Sequence, residues 1–141
     1  CYSHRKLFAQ LAKELVKQGD SIRAKHVLAY AEQAIPAYNV PEVYESGSYD
    51  IATAYASIGE TQRATDLLNH LIAESKNYID WAFSLGDNRI GMVQRDCLYR
   101  FWQWNQCNEL LKNMDKERYE QSNQQFEEKY MRLTQLMNYH N

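Results

Sequence analysis

The chain of 141 residues contains only two prolines and five glycines, so long stretches can remain helical, and no alternating strand pattern competes with them. Its formal net charge of -2 does not by itself predict nucleic acid or an acidic ligand. A chain of this length buries roughly 68% of its unfolded surface, so one all-α domain over residues 1–141 is expected without a metal or disulfide to hold it.

Residues 7–36 have the spacing of a helical hairpin. Apolar side chains recur every three or four residues on both sides of Gly19, which allows the first helix to end. Asp20 or Ser21 can accept the free amide hydrogens that begin the second helix, and Pro36 ends that helix. Stripes of this kind are typical of a packed core rather than a ligand site.

The hairpin resembles the tetratricopeptide repeat, which combines an aromatic residue, a Leu-small pair, a glycine turn, small residues and a terminal proline. The residues that fill these positions are Phe8, Leu11, Ala12, Leu15, Gly19, Ala24, Leu28, Ala31 and Pro36. A weaker second copy consists of Ile51, Ala52, Tyr55, Gly59, Ala64, Leu68 and Leu71. The resemblance implies a tetratricopeptide-like right-handed superhelix of about two hairpins, followed by a C-terminal helical pair.

Four further segments complete the predicted organisation. They are a connection over 37–47, a second hairpin over 48–75, a short helix over 76–86 and the helical pair over 88–140. Asn39-Val40-Pro41 indicates that the connection is extended. The segment 76–86 fits either a helix of its own or a continuation of the preceding helix. Gly86-Asp87-Asn88 is expected to end it and to cap the next helix.

No set of residues with catalytic spacing is found. The four histidines lack the spacing of metal ligands, and neither a Gly-rich phosphate loop nor a nucleophile motif is present. Cys97 and Cys107 lie about 15 Å apart along one predicted helix, so they cannot pair and are expected to be buried thiols. We therefore expect no catalytic, cofactor-binding or metal-binding residue and no cofactor, and the domain is predicted not to be an enzyme.

Tyr99, Arg100 and Trp102 bring a cation next to two aromatic rings. Such a patch could stack bases, lie at a membrane interface or anchor a protein partner, and the balanced charge makes nucleic acid the poorest of these options. The preferred alternative places Phe101 and Trp104 in the core. In that alternative Tyr99 and Trp102 widen the buried face and pack on the terminal helix.

In tetratricopeptide folds the first helix of each hairpin lines a concave groove. The resemblance places these residues on it: Lys6, Ala9, Lys13, Val16 and Lys17 from the first hairpin, and Tyr49, Thr53 and Ala56 from the second. Three lysines suggest an acidic peptide or an anionic loop as ligand. The chaperone-tail clamp of such domains is not carried over, because Ala9 and Tyr49 replace the polar residues that it requires.

Residues 7–85 also resemble the soluble C-terminal region of a family of bacterial multi-pass membrane proteins of unknown function, related to protein O-mannosyltransferases. The segments behind this are Leu11-Ala12, Ile35-Pro36, Asn39-Val40-Pro41, Ala52 to Gly59 and Tyr78 to Leu85. The resemblance implies an accessory domain on the periplasmic side that docks on the membrane part of its own chain or on an acceptor protein. Sugar transfer, and any membrane contact, would belong to that membrane part. The alternative is a free-standing or lipid-anchored adaptor that binds a peptide.

Overall fold

The computed structural model describes residues 2–37 and 41–140, and within these ranges it contains helices and no strand. The α-helices are α1 (Tyr2–Lys17), α2 (Ser21–Ala34), α3 (Ser48–Ser57), α4 (Thr61–Ser84), α5 (Gln94–Leu111) and α6 (Lys116–His140). Two short 3-10 helices are η1 (Tyr44–Ser46) and η2 (Ile90–Val93). The all-α class is confirmed, whereas the superhelix stays a prediction.

The chain divides into two compact units, Cys1–Leu71 and Ile72–Asn141. Asn39 and Val40 of the predicted connection lie outside the described residues.

The two helix turns of the first unit have matching geometry. Gly19 between α1 and α2 and Gly59 between α3 and α4 have φ angles of 81° and 80°, which favour glycine. After each glycine, an amide donates back to a carbonyl of the preceding helix (Asp20 to Leu15, 2.8 Å; Glu60 to Tyr55, 3.0 Å). The Asp20 carboxylate then accepts from the Arg23 amide at 3.0 Å and caps α2, as the sequence predicts.

The core of the first unit consists mainly of small residues and leucines. Its fully buried members include Ala9, Ala12, Ala24, Leu28, Ala52, Ala64 and Leu68. Helix α1 contacts both α2 and α3, and alanines on its inner face permit this close approach. Leu28 is fully buried, Phe8 and Leu15 are partly buried and Leu11 is 49% exposed, so the prediction that the apolar stripe of the hairpin is core is wrong for Leu11. Because alanines occupy the inner face of α1, its larger apolar side chains lie closer to the surface.

The segment 76–86 does not form a helix of its own, because α4 continues without a break to Ser84. The predicted cap of the next helix is also absent. Residues 86–88 belong to a turn in which the Ile90 amide donates to the Gly86 carbonyl at 3.1 Å, and η2 then precedes α5. The residue before α5 is Val93, which has no side-chain hydrogen bond to cap it.

The second unit is built around an aromatic cluster between α5 and α6. Phe101 and Trp104 are 1% and 0% exposed, which confirms that they are core residues. The Phe126 ring packs edge-on against both, with centroid distances of 5.5 and 5.4 Å, and Tyr130 packs edge-on against Phe101. The Trp104 indole donates to the Ser122 hydroxyl at 2.8 Å, so the one polar atom of this ring is satisfied.

Helix α6 also contacts the last turns of α4. The Lys129 ammonium pairs with Asp80, and the Arg132 guanidinium lies 4.4 Å from the centroid of the Phe83 ring. Ile79 and Ala82, on the inner face of α4, are fully buried. The second unit therefore consists of the end of α4 packed with α5 and α6.

Candidate functional site

Arg5 of α1 is a charged side chain that is only 5% exposed. Its guanidinium donates to the carbonyl of Ile35 (3.1 Å), to the carbonyl of Pro41 (2.8 Å) and to the hydroxyl of Ser46 (2.8 Å). Burial lowers the pKa of Arg5 from its ordinary value, while the negative charge of Glu42 opposes this change. Arg5 therefore links Ile35, Pro41 and η1 to α1, and its role is structural.

A second polar cluster joins α2, α3 and α4 beside Arg5. Glu32 accepts a hydrogen bond from the Tyr55 hydroxyl (2.9 Å) and another from the Arg63 side chain (2.6 Å), and Arg63 also pairs with Glu42 at 3.3 Å. Burial, together with the hydrogen bond to Glu32, raises the pKa of Tyr55. A cavity lined by Arg5, Glu32 and Glu42 offers about 30 Å³, enough for a water molecule but not for an organic ligand.

The three groove lysines lie on a single stripe of α1. Lys6 and Lys17 are exposed and Lys13 is half-buried. Among the described residues, neither Lys6 nor Lys13 has a carboxylate within 4 Å, and Lys17 lies at 4.0 Å from the exposed Glu14. The stripe therefore presents two ammonium groups, those of Lys6 and Lys13, that no carboxylate of the described residues neutralises.

The residues predicted on the other side of the groove are half-buried on α3. The Tyr49 ring stacks on Tyr44 at a centroid distance of 5.0 Å, and the Thr53 hydroxyl donates to the Asp50 carbonyl at 2.7 Å. Helix α3 packs on α1, so these side chains and the lysine stripe belong to neighbouring helices. Ala9 is fully buried and cannot line a groove, which corrects that part of the expectation.

Tyr99, Arg100 and Trp102 do not form one patch. Tyr99 and Trp102 are 45% and 48% exposed, and their rings stack at 5.8 Å. The prediction that they widen the buried face is therefore wrong. Arg100 points to another side of α5, where its guanidinium lies 5.0 Å from the centroid of the Tyr78 ring. It also donates to Gln103 at 3.3 Å, so it contributes to packing within the second unit.

Cys97 and Cys107 are free and buried, as the sequence predicts. Burial raises the pKa of the Cys97 thiol, and it raises the pKa of Cys107 to about 12. Both thiols therefore stay protonated and unreactive near neutral pH.

Within residues 2–37 and 41–140, no group of three or more His, Cys, Asp or Glu side chains is arranged to hold a metal ion. In the same ranges, no helix has the length and hydropathy that crossing a bilayer requires.

The sequence did not identify Arg5 as part of the core. A usable signal is its spacing, because Arg5 lies four residues before Ala9 and seven before Ala12, on the same face of α1.

The sequence also did not identify an open apolar surface of α1 and α2. There Leu7, Leu11 and Tyr30 are about half-exposed around a cavity of about 420 Å³.

Comparisons with protein-family models, with curated proteins and with solved structures found no match to this chain. The resemblances to the tetratricopeptide repeat and to the bacterial membrane protein family therefore stay predictions from the sequence.

Proposed function

We propose that the chain is a non-catalytic interaction domain that binds an acidic segment of a protein partner. The binding surface is the lysine stripe of α1, defined by Lys6, Lys13 and Lys17, with Tyr49 and Thr53 beside it on α3. The observation that carries the proposal is the arrangement of three ammonium groups on one helix face, two of them without a carboxylate partner in the described part of the chain.

The spacing of the stripe indicates what such a segment would look like. With a rise of about 1.5 Å per residue, Lys6 and Lys13 lie about 10 Å apart along α1, and Lys13 and Lys17 about 6 Å apart. An extended peptide advances about 3.3 Å per residue. Because alternate side chains of an extended peptide share one face, acidic residues at every second position over about six residues would meet the three lysines along the stripe. Because Lys6 and Lys17 are exposed, binding is expected to be modest in affinity and to weaken with added salt.

Fluorescence anisotropy of a labelled acidic peptide, with Glu at the first, third, fifth and seventh of its central positions, tests this surface. The double variant Lys6→Glu/Lys13→Glu should weaken binding by about tenfold or more, because each reversal replaces attraction with repulsion. The double variant Lys112→Glu/Lys116→Glu makes the same change in net charge on the second unit and should leave binding nearly unchanged. Equal effects of both pairs, or none from the first, would remove the stripe from the proposal.

The identity of the partner rests on the resemblance to the bacterial membrane protein family. The proposed partner is the membrane part of a glycosyltransferase-like protein of which this chain is the periplasmic C-terminal domain, and any sugar transfer takes place in that membrane part. Sequencing the gene upstream of the Cys1 codon tests this directly. Multiple hydrophobic spans would support it. A gene that encodes only this chain would contradict it and leave the free-standing or lipid-anchored adaptor.

A further inference from the structure

A second set of exposed side chains lies on the turn before η2, on η2 and on one face of α5, and no part of the proposed peptide site belongs to it. Arg89, Met92, Arg95, Tyr99 and Trp102 follow one another at intervals of three or four residues and are all exposed. These five residues are called the α5 strip. Met92 is 85% exposed, which is unusual for a large apolar side chain. The strip therefore alternates guanidinium groups with apolar and aromatic side chains.

The charge of the α5 strip is not neutralised locally. In the described ranges neither Arg89 nor Arg95 has a carboxylate within 4 Å. Of the two nearest acidic residues in sequence, Asp96 lies beside Tyr78 of α4, where its negative charge adds to burial in raising the pKa of Tyr78, and Asp87 lies on the wall of a different cavity, beside Ile90. The strip thus presents two cations and no acidic side chain of its own.

Two cavities of the second unit lie away from the α5 strip. The second unit has a cavity of about 260 Å³ beside Ile90 and Leu133, and another of about 390 Å³ beside Phe126 and Tyr130. None of the five strip residues lines either of them. Peptide recognition uses grooves or sheet edges, whereas exposed side chains on a turn, on η2 and on one face of α5 suit a flat surface.

We propose that the α5 strip binds the surface of membranes that contain anionic lipids. Tyr99 and Trp102 are amphipathic rings that suit the headgroup level of a bilayer, and Met92 is exposed enough to reach the acyl boundary. Arg89 and Arg95 pair with lipid phosphates and select negatively charged membranes. This contact is made by the domain itself and is independent of the lysine stripe and of any membrane-spanning sequence.

Vesicle co-sedimentation of the full chain tests the proposal, with vesicles of phosphatidylcholine alone or mixed with phosphatidylserine. Binding is expected only to the mixed vesicles and should decrease with salt. The variant Arg89→Gln/Arg95→Gln should reduce the partition coefficient by about twenty-fivefold, since each charge accounts for about fivefold. The variant Arg118→Gln/Met131→Ala removes an exposed cation and an exposed methionine from α6 and should bind like the wild type.

Tryptophan emission provides a second measurement that depends on the strip itself. In a Trp81→Phe background the remaining indoles are Trp102, which is 48% exposed, and Trp104, which is fully buried already. A blue shift on addition of mixed vesicles, which disappears when Trp102 is also replaced by Phe, is the expected result. Absence of vesicle binding, equal binding to neutral vesicles, or binding unaffected by the arginine substitutions would overturn the proposal.

Discussion

The two units bring helices together in different ways. In the first unit the helix contacts are made by alanines such as Ala12 and Ala52, and a buried guanidinium from Arg5 occupies the space beside them. In the second unit the large rings of Phe101, Trp104 and Phe126 fill the space between α5 and α6. Alanine buries much less apolar area than an aromatic ring, so the first unit depends more on directed hydrogen bonds and the second more on volume.

Because the second unit depends on the volume of its buried rings, removing one of these rings should cause the largest loss in the free energy of unfolding. Replacing Trp104 by Ala should lower the free energy of unfolding by about 3–5 kcal/mol, since it leaves a cavity and removes the donor to Ser122. Replacing Trp102 by Ala, two residues away on the same helix, should cost less than about 1 kcal/mol because its ring is half-exposed. Urea unfolding followed by circular dichroism gives both values, and equal losses would contradict the assignment of the two faces of α5.

In the first unit the corresponding change removes a charge rather than volume. Arg5→Met keeps an unbranched apolar chain but leaves the acceptors at Ile35, Pro41 and Ser46 without their donor. We expect a loss of about 2–4 kcal/mol. Lys6→Met, at the exposed neighbouring position, should change stability by less than about 0.5 kcal/mol. If both variants unfold at the same urea concentration, the buried network does not stabilise this unit.

The smallest expected effect is the difference in stability loss between alanine substitutions at two glycines. Both positions have a strained backbone, but only one of them lies close to a neighbouring helix. Gly47 and Gly59 have φ angles of 89° and 80°, so alanine is strained to a similar degree at both positions, by about 1 kcal/mol. A Cβ atom at Gly47 would lie 2.9 Å from the Arg5 Cβ atom, whereas nothing lies within 4 Å at Gly59. Gly47→Ala should therefore cost about 1–2 kcal/mol more than Gly59→Ala in thermal unfolding. A difference near zero would show that α1 and α3 can move apart.

Local features of the fold could be predicted from the sequence because neighbouring residues determine them. Turn glycines, the Asp20 cap and the alanines at helix contacts follow from backbone geometry and spacing. The buried face of α5 could be predicted only in part: Phe101 and Trp104 are core residues as expected, whereas Tyr99 and Trp102 are exposed. Aromatic side chains at 99, 101, 102 and 104 point to several sides of this helix, so spacing alone does not select the buried face.

Helical spacing could predict only part of the candidate sites, because contacts between helices do not follow from spacing. Lys6, Lys13 and Lys17 are placed on one stripe by helical periodicity, which is a local property. The partner of Arg100 is Tyr78 on another helix, and the acceptors of Arg5 come from residues that are distant in sequence. Such contacts depend on how helices pack, so the sequence could indicate charged and aromatic residues without showing which of them are already engaged.

The buried state of Cys97 and Cys107 has a consequence for the compartments in which the chain can work. Thiol-disulfide exchange requires a thiolate that can reach its target, and these two thiols are covered by protein, with the pKa of Cys107 raised to about 12. Neither oxidants nor glutathione should alter them while the second unit is folded. The packing of α5 thus makes these two cysteines equally compatible with a reducing and with an oxidising environment.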